Sequence, residues 1–431
     1  MTYEPVVKIS KSSNRKISKY FDIPEGTVRS WYRDDNEQYK RKLREYKLNT
    51  QPFVNISDIA SENEIDEKEI LEKIRDKEIP AIFSEEKETN SLIPYIPYSM
   101  MSIYDIKKEI QTLQKAQVIT LANKKGGVGK TTTTVSFAST LAYMGFKVLI
   151  VDADTQANTT AMFDIYMNNG YEKTIVDVLY EVAQSAKKDP KEITKSAIID
   201  VTQKLGFIGK LHILPNSGTI TNEEKFENLE NELKKECNVN LILDEVLESV
   251  KDEYDFVVID TPPRVDLTLR ISAMASDFII MIFTAEKMSK DGIPSFLGPL
   301  SSLNNAYFKH KKKDINVLGG IMNSYLKQIN LQITFAEEIE DDLNDVLRRS
   351  EFDTSSNYVE ENASNLFKTK IRHSTKIQYI QLNGQGSFLS KGSLADGIDE
   401  QSAETIRDYF TLTEEILYRI FINLCNNEVL S

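Results

Sequence analysis

The run Lys124-Lys-Gly-Gly-Val-Gly-Lys-Thr-Thr132 brings together the residue types that a phosphate cradle requires. Gly126, Gly127 and Gly129 lack a Cβ, so successive backbone N–H groups can curl around one oxyanion. Val128 and Thr132 complete the loop. Lys130 is placed to reach the β- and γ-phosphates as a point charge, and the Thr131 hydroxyl is placed to ligate Mg²⁺. Two further segments supply carboxylates: Val151-Asp-Ala-Asp-Thr-Gln156 carries Asp152 and Asp154, and Val257-Val-Ile-Asp-Thr-Pro-Pro263 carries Asp260. Alone, three such aspartates would read as turn caps. Beside a glycine loop they are placed to hold Mg²⁺ and its waters, which is the equipment of phosphoryl transfer.

These groups meet only if the elements carrying them share one edge of a sheet. Apolar runs of strand length at 117–123, 147–154, 211–215, 255–260, 277–284 and 315–323 alternate with helical patterns. Near-continuous apolar strands fit a parallel sheet buried on both faces. The first strand runs directly into the glycine loop, and a helix with Val135, Ala138 and Ala142 on one face follows, so its N-terminus adds partial positive charge at the phosphate. The expected fold is a doubly wound, mostly parallel α/β domain with its chemistry at the carboxyl ends of the strands. The interval 158–210 is longer and more polar than that plan needs, and suggests an added lobe.

A length of 431 residues implies two or three domains, and 40% hydrophobic with 28% charged residues is ordinary globular composition. The net charge of −13 argues against a protein that coats nucleic acid with its whole surface. Its distribution is uneven. Residues 1–50 hold twelve Lys or Arg against seven Asp or Glu, whereas residues 55–90 hold twelve acids against five bases. Within the basic segment, a helix at 17–21, a turn at 22–26 and a second helix from Thr27, capped by that threonine, predict a helix-turn-helix. Val28 and Trp31 would face its core, and Arg29, Ser30 and Arg33 a DNA groove. A second helix pair at 56–63 and 66–77 leads to a possible wing strand near 79–83, and the proline-bearing stretch 93–98 reads as a connector. The expected domains are a basic DNA-binding segment at 1–50, an acidic helical and wing-like region with connector at 51–101, and the α/β domain at 102–431.

Cys237 and Cys425 stand far apart, and His212, His310 and His373 show no ligand spacing, so no disulfide framework, zinc site or iron–sulfur site is expected. No stretch approaches the roughly 18 apolar residues of a membrane helix, and the N-terminus lacks a secretion signal, so a cytoplasmic location is expected.

The second lysine of the loop, Lys125, narrows the reading. Lys125-Gly-Gly-Val-Gly-Lys-Thr-Thr132, Asp152-Ala-Asp-Thr-Gln-Ala-Asn158, Asp260-Thr-Pro-Pro263 and Gly319-Gly-Ile-Met-Asn323 together resemble the ParA/MinD group of deviant Walker ATPases, and within it the large plasmid-type ParA partition ATPases. The resemblance covers about residues 102–431. It implies ATP and Mg²⁺ as cofactors and slow hydrolysis to ADP and phosphate. It implies an ATP-dependent homodimer in which Lys125 crosses to the partner's phosphates. Asp154 would position the attacking water, Asp152 and Asp260 would hold Mg²⁺ through water, and Asn323 would contact adenine. Thr155 stands where many relatives place proline. The resemblance further implies a nucleoid-associated ATP state, nonspecific and operator DNA as partners, and a ParB-type centromere-binding protein. The basic segment 366–376, with Lys368, Lys370, Arg372 and Lys376, is the candidate for phosphate contacts.

Four rival readings stand beside this one. A MinD-like membrane-positioning ATPase needs a basic amphipathic C-terminal helix, but the tail at 412–424 carries Glu414 and Glu415 against Arg419 and is expected to dock on the domain. A nitrogenase-reductase relative needs paired cysteines at strand ends. A plain metabolic enzyme would not explain Lys125 or a basic helix-turn-helix arm, and a DNA-binding transcriptional regulator with a nucleotide switch stays an alternative.

Overall fold

The computed structural model describes residues 14–86, 91–165, 173–185, 188–205, 209–234, 237–264, 266–326, 328–357, 364–374, 389, 400–427 and 429. Three helices come first: α1 (Asn14–Phe21), α2 (Glu25–Asp34) and α3 (Asn36–Thr50). They share a small core of their own, in which Ile17, Val28 and Tyr46 are buried against Phe21, Ile23, Trp31, Tyr39 and Leu43. Helix α2 starts two residues earlier than the sequence suggests. Pro24 occupies its N-cap, with φ −59° and ψ 137°, and Thr27 lies inside the helix and makes no cap. Proline is well suited here because its fixed φ leads into a first turn whose N–H groups need no helical partner.

The next elements are β1 (Phe53–Asn55), α4 (Ile56–Asn63), α5 (Glu67–Arg75), β2 (Ile82–Glu86), β3 (Ser91–Pro97) and α6 (Tyr104–Gln111). The stretch expected to be a connector is instead β3, the middle strand of an antiparallel sheet ordered β1-β3-β2. Two prolines disguise it. Strand β1 reaches only Tyr95, Ile96 and Pro97, so Pro94, paired with Phe83 of β2, lies beyond the end of β1 and owes that strand no N–H.

The remaining chain builds the large domain, in the order β4 (Gln117–Ala122), α7 (Lys130–Tyr143), β5 (Lys147–Asp152), α8 (Asn158–Met162), α9 (Ile175–Gln184), α10 (Pro190–Lys195), β6 (Ile199–Asp200), α11 (Thr202–Leu205), β7 (Lys210–Leu214), α12 (Ile220–Leu233) and α13 (Ile242–Glu248). It continues with β8 (Phe256–Asp260), α14 (Leu267–Ala275), β9 (Phe278–Thr284), α15 (Lys287–Lys311), β10 (Asn316–Tyr325), α16 (Asn330–Arg348), β11 (Leu366–Arg372) and α17 (Glu400–Asn426). Among the described residues eight strands form one sheet in the order β11-β10-β9-β4-β8-β5-β7-β6, parallel except where β6 meets β7. All six runs picked from the sequence are strands. The chain leaves central β4 for β5 on one side and returns through β9 on the other, so the glycine loop sits at the point where strand order reverses.

Alternation along each strand sends side chains to opposite faces. Phe256 and Val258 pack with α7 and α17, while Val257 and Ile259 pack with α9, α13 and α14. Each such aliphatic side chain contributes about 1.5–3 kcal/mol when fully buried. Helices α9 and α10, from the interval expected to be a separate lobe, bury Ile175, Val178, Leu179 and Ile193 in that second layer, so its helices are part of the core.

The C-terminal helix α17 docks as expected, burying Phe410, Leu412, Ile416, Leu417, Ile420 and Leu424. It lies against α7 and also holds the antiparallel sheet. Phe53, Tyr143 and Phe410 meet as three rings with centroids 5.5–5.9 Å apart. Arg407 stacks on Tyr98 and donates to the Gln51 carbonyl, and Glu414 accepts from Ser102. Residues 53–110 therefore share the main apolar core, whereas α1–α3 keep their own.

Candidate nucleotide site

At the carboxyl end of β4 the glycine loop adopts a conformation that its glycines make possible. Gly127 and Gly129 have φ of 72° and 87°, in the left-handed region that side chains disfavour. A Cβ on Gly129 would come within 2.0 Å of the Asn323 amide nitrogen. That amide donates to the Val128 carbonyl at 2.8 Å, so Asn323, at the end of β10, braces the loop backbone. Its Oδ1 accepts from Ser324 N. In this state the residue expected to contact adenine is engaged by protein on both sides.

Lys130 opens α7 and is buried, its Nζ 3.1 Å from the Lys125 carbonyl. Burial lowers its pKa, and the charges of Asp260 and Asp154 oppose that shift. Lys125 is more open. Its Nζ lies 2.6 Å from Glu286 and 3.4 Å from Thr284 Oγ1 at the end of β9, while its backbone N–H is held by Asn123. Glu286 occupies the N-cap of α15 yet makes no side-chain cap bond.

Asp152 and Asp260 end neighbouring strands and face each other in register. The Asp260 carboxylate accepts from Thr159 at 2.8 Å and Thr134 at 3.3 Å, and also from the loop's Thr131. Burial pushes it up to about 6, eased by those hydroxyls. Asp152 is pushed up to about 8, first by burial and then by the charge of Asp260. Its Oδ2 is taken by the Thr160 N–H and hydroxyl at 2.8 and 2.7 Å. Asp154 sits in the loop after β5, accepting from Gln156 N, with burial raising its pKa and Lys130 and Arg264 opposing the rise.

The donor set tests well against a magnesium–triphosphate ligand. Hard oxygens from Thr131 and Asp260 adjoin a left-handed glycine cradle and a buried ammonium, which suits Mg²⁺ beside phosphate. Both carboxylates are fully buried and bonded to α8, but Asp260 also accepts from Thr131 of the phosphate loop, whereas Asp152 is held by Thr160. Among the described residues no group of three or more His, Cys, Asp and Glu is arranged to hold a metal ion.

The expected DNA contacts fall into two places. On α2, Arg29 and Arg33 are exposed and Ser30 is half-buried, with Arg29 paired to Glu25 at 2.6 Å. The segment 366–372 is strand β11, which its basic residues hid. Lys368 is exposed and Lys370 lies over the Tyr325 ring at 4.8 Å. Arg372 is clamped by Asp408 and Glu404, each at 2.7 Å, which largely neutralises it. Lys376 lies outside the described residues. Sequence reasoning missed Glu286, Thr159, Thr160 and Asn216. Only the pair Thr159-Thr160 directly after the Asp152–Asn158 motif offered a signal.

No helix among the described residues is long and apolar enough to cross a membrane.

Fold and site together define a P-loop ATPase with a second loop lysine. A family model described as an AAA domain matches residues 116–317. An uncharacterised protein of Methanocaldococcus jannaschii is 33% identical over 49% of this chain and 74% of its own length. A ParA family protein of Chlamydia pneumoniae is 26% identical over 70% of this chain and 97% of its own length. A solved putative plasmid partition protein of Borrelia burgdorferi, bound to AMPPNP, is 22% identical, with TM-score 0.46 over 72% of this chain and all of that one. The chain belongs to the ParA family of partition ATPases.

Proposed function

We propose that this protein is a DNA-partition switch in which ATP occupancy controls self-association and DNA binding. The observation that carries the reading is the pair of lysines at one glycine loop, Lys130 buried against the cradle and Lys125 at its mouth. Mg²⁺-ATP bound at the loop supplies the phosphoryl group and a divalent charge. Lys130 and the loop N–H groups hold the β- and γ-phosphates, while Thr131 and Asp260 orient the metal's oxygen shell. Asp154, close to Lys130, aligns the attacking water and accepts its proton. Its raised pKa fits that task better than an ordinary exposed carboxylate would. Lys125, released from Glu286, reaches the phosphates of a second copy, so charge at the transferring group is complete only in the dimer. Hydrolysis is slow without that partner.

Segregation of a plasmid or similar replicon would use a ParB-type centromere-binding protein as stimulator. The N-terminal region would bind the operator of its own operon as repressor. In support, α1–α3 are basic with Arg29 and Arg33 exposed, and the order α3-β1-α4-α5-β2-β3 is that of a winged helix. In the ATP state Lys368 and Lys370 would add nonspecific phosphate contacts.

The deciding experiment compares binding to random and upstream-operon DNA in ADP and in ATP. Because residues 53–110 share the main core, the N-terminal contribution is tested with Arg29→Ala/Arg33→Ala in the full chain. Loss of operator binding with retained ATP-dependent random binding supports both roles. DNA binding indifferent to nucleotide and to these arginines refutes the reading.

A further inference from the structure

The second and third residues of helix α8 are adjacent threonines that are almost completely buried, Thr159 at 0% and Thr160 at 1% exposure. Each serves a different strand-end carboxylate. The Thr159 hydroxyl donates to Asp260 Oδ2 at 2.8 Å, and the Thr160 N–H and hydroxyl both donate to Asp152 Oδ2. The Thr160 oxygen also accepts from Asn216 N at 3.0 Å, and the Asn216 side chain donates to the Asp154 carbonyl at 3.1 Å. Asp154 N in turn donates to Asp152 Oδ1 at 3.3 Å. The loop between β5 and α8 is thus held at its start by Asp152 and Asn216 and at its end by the threonines. It closes through Ala157 at φ 52°, an uncommon conformation for a residue with a Cβ.

The bond from Thr159 is charge-assisted whenever Asp260 is ionised, and a buried carboxylate oxygen deprived of its donor is costly. Asp260 also accepts from Thr131 of the phosphate loop, so one carboxylate touches both the cradle and α8. We propose that Thr159 is a positioning residue: it fixes the Asp260 carboxylate against the phosphate loop and ties it, through α8, to the loop that carries Asp154. This rests on the proposed Mg²⁺-ATP site. Any shift of Asp260 towards a metal at Thr131 draws α8 with it, so metal occupancy and the placement of Asp154 become one event.

The test compares wild type, Thr159→Val and Thr159→Ser. Valine keeps the shape and removes the donor, and serine keeps the donor. The dissociation constant of a fluorescent nonhydrolysable ATP analogue is measured in Mg²⁺ and in EDTA, together with amide hydrogen exchange across residues 154–160 without nucleotide. Valine should reduce the Mg²⁺-dependent gain in affinity by about tenfold, leave affinity in EDTA within about twofold, and speed exchange across the loop. Serine should restore all three. An equal loss in Mg²⁺ and EDTA would assign Thr159 to packing and overturn the proposal, as would a valine variant indistinguishable from wild type or a serine variant that fails to rescue. If wild-type affinity itself ignores Mg²⁺, the underlying site reading falls and takes this inference with it. A metal-dependent wild type with an unaffected valine variant overturns the positioning role alone.

Discussion

Removing the charge of Glu286 should strengthen ATP-dependent self-association. In the structure the Lys125 ammonium is committed within its own chain, 2.6 Å from Glu286, yet the proposed role requires it to reach a second copy. The pair is well solvated, with side-chain exposures of 26% and 58%, so its contribution falls within the modest range of surface ion pairs, about 0.2–1 kcal/mol. Two such pairs must part when a dimer forms. Glu286→Gln therefore lowers the dimer dissociation constant in a nonhydrolysable ATP analogue by about two- to thirty-fold, corresponding to about 0.4–2 kcal/mol. Sedimentation equilibrium across a range of protein concentrations reads that constant directly, and nucleotide affinity of the variant serves as the control. Because the pair is screened, the advantage of the variant should shrink as salt is raised. An unchanged or weaker dimer with normal nucleotide affinity would refute the reasoning and place Glu286 among the groups that the dimer uses.

Lys125→Ala should retain nucleotide binding but lose hydrolysis and ATP-dependent association, measured by phosphate release and light scattering. Gly129→Ala should abolish binding of a fluorescent ATP analogue, because its left-handed φ of 87° costs on the order of 1–3 kcal/mol and its Cβ would displace Asn323. The raised pKa values of Asp152 and Asp260, about 8 and about 6, mean that the folded state binds protons which the unfolded chain has already lost. Stability from this pair is greatest below about pH 4 and is lost as pH rises through those values. Asp152→Asn should therefore gain in urea stability relative to wild type at pH 8, with the gain shrinking towards pH 5. Phe410→Ala should cost about 3–5 kcal/mol in urea unfolding, since it removes a fully buried ring that packs on both Phe53 and Tyr143.

The parallel sheet was legible because its strands are buried on both faces and so read as continuous apolar runs. The glycine loop was legible because so few residue types can line it. Elements whose identity comes from their neighbours were not legible. Strand β11, Leu366–Arg372, mixes three basic residues with three apolar ones and a threonine, and the packing of α17 and β10 around it makes it a strand. Strand β3 carries Pro94, tolerated because β1 reaches only to Tyr95, and Pro97 at its own last position. Likewise, Asp152 looked interchangeable with Asp260, and what separates them is that Asp260 also accepts from Thr131 and Thr134 beside the phosphate loop.

The outer rim of β11 has a consequence for how the molecule behaves at high concentration. An edge strand offers unpaired N–H groups to any passing chain. Here Glu415 accepts from the N–H groups of Lys368 and Thr369, and Asp408 accepts from that of Arg372, all within 3.1 Å. Two carboxylates of α17 thus occupy three backbone N–H groups of β11. A strand that adds to this flank must first displace those carboxylates from the backbone of β11.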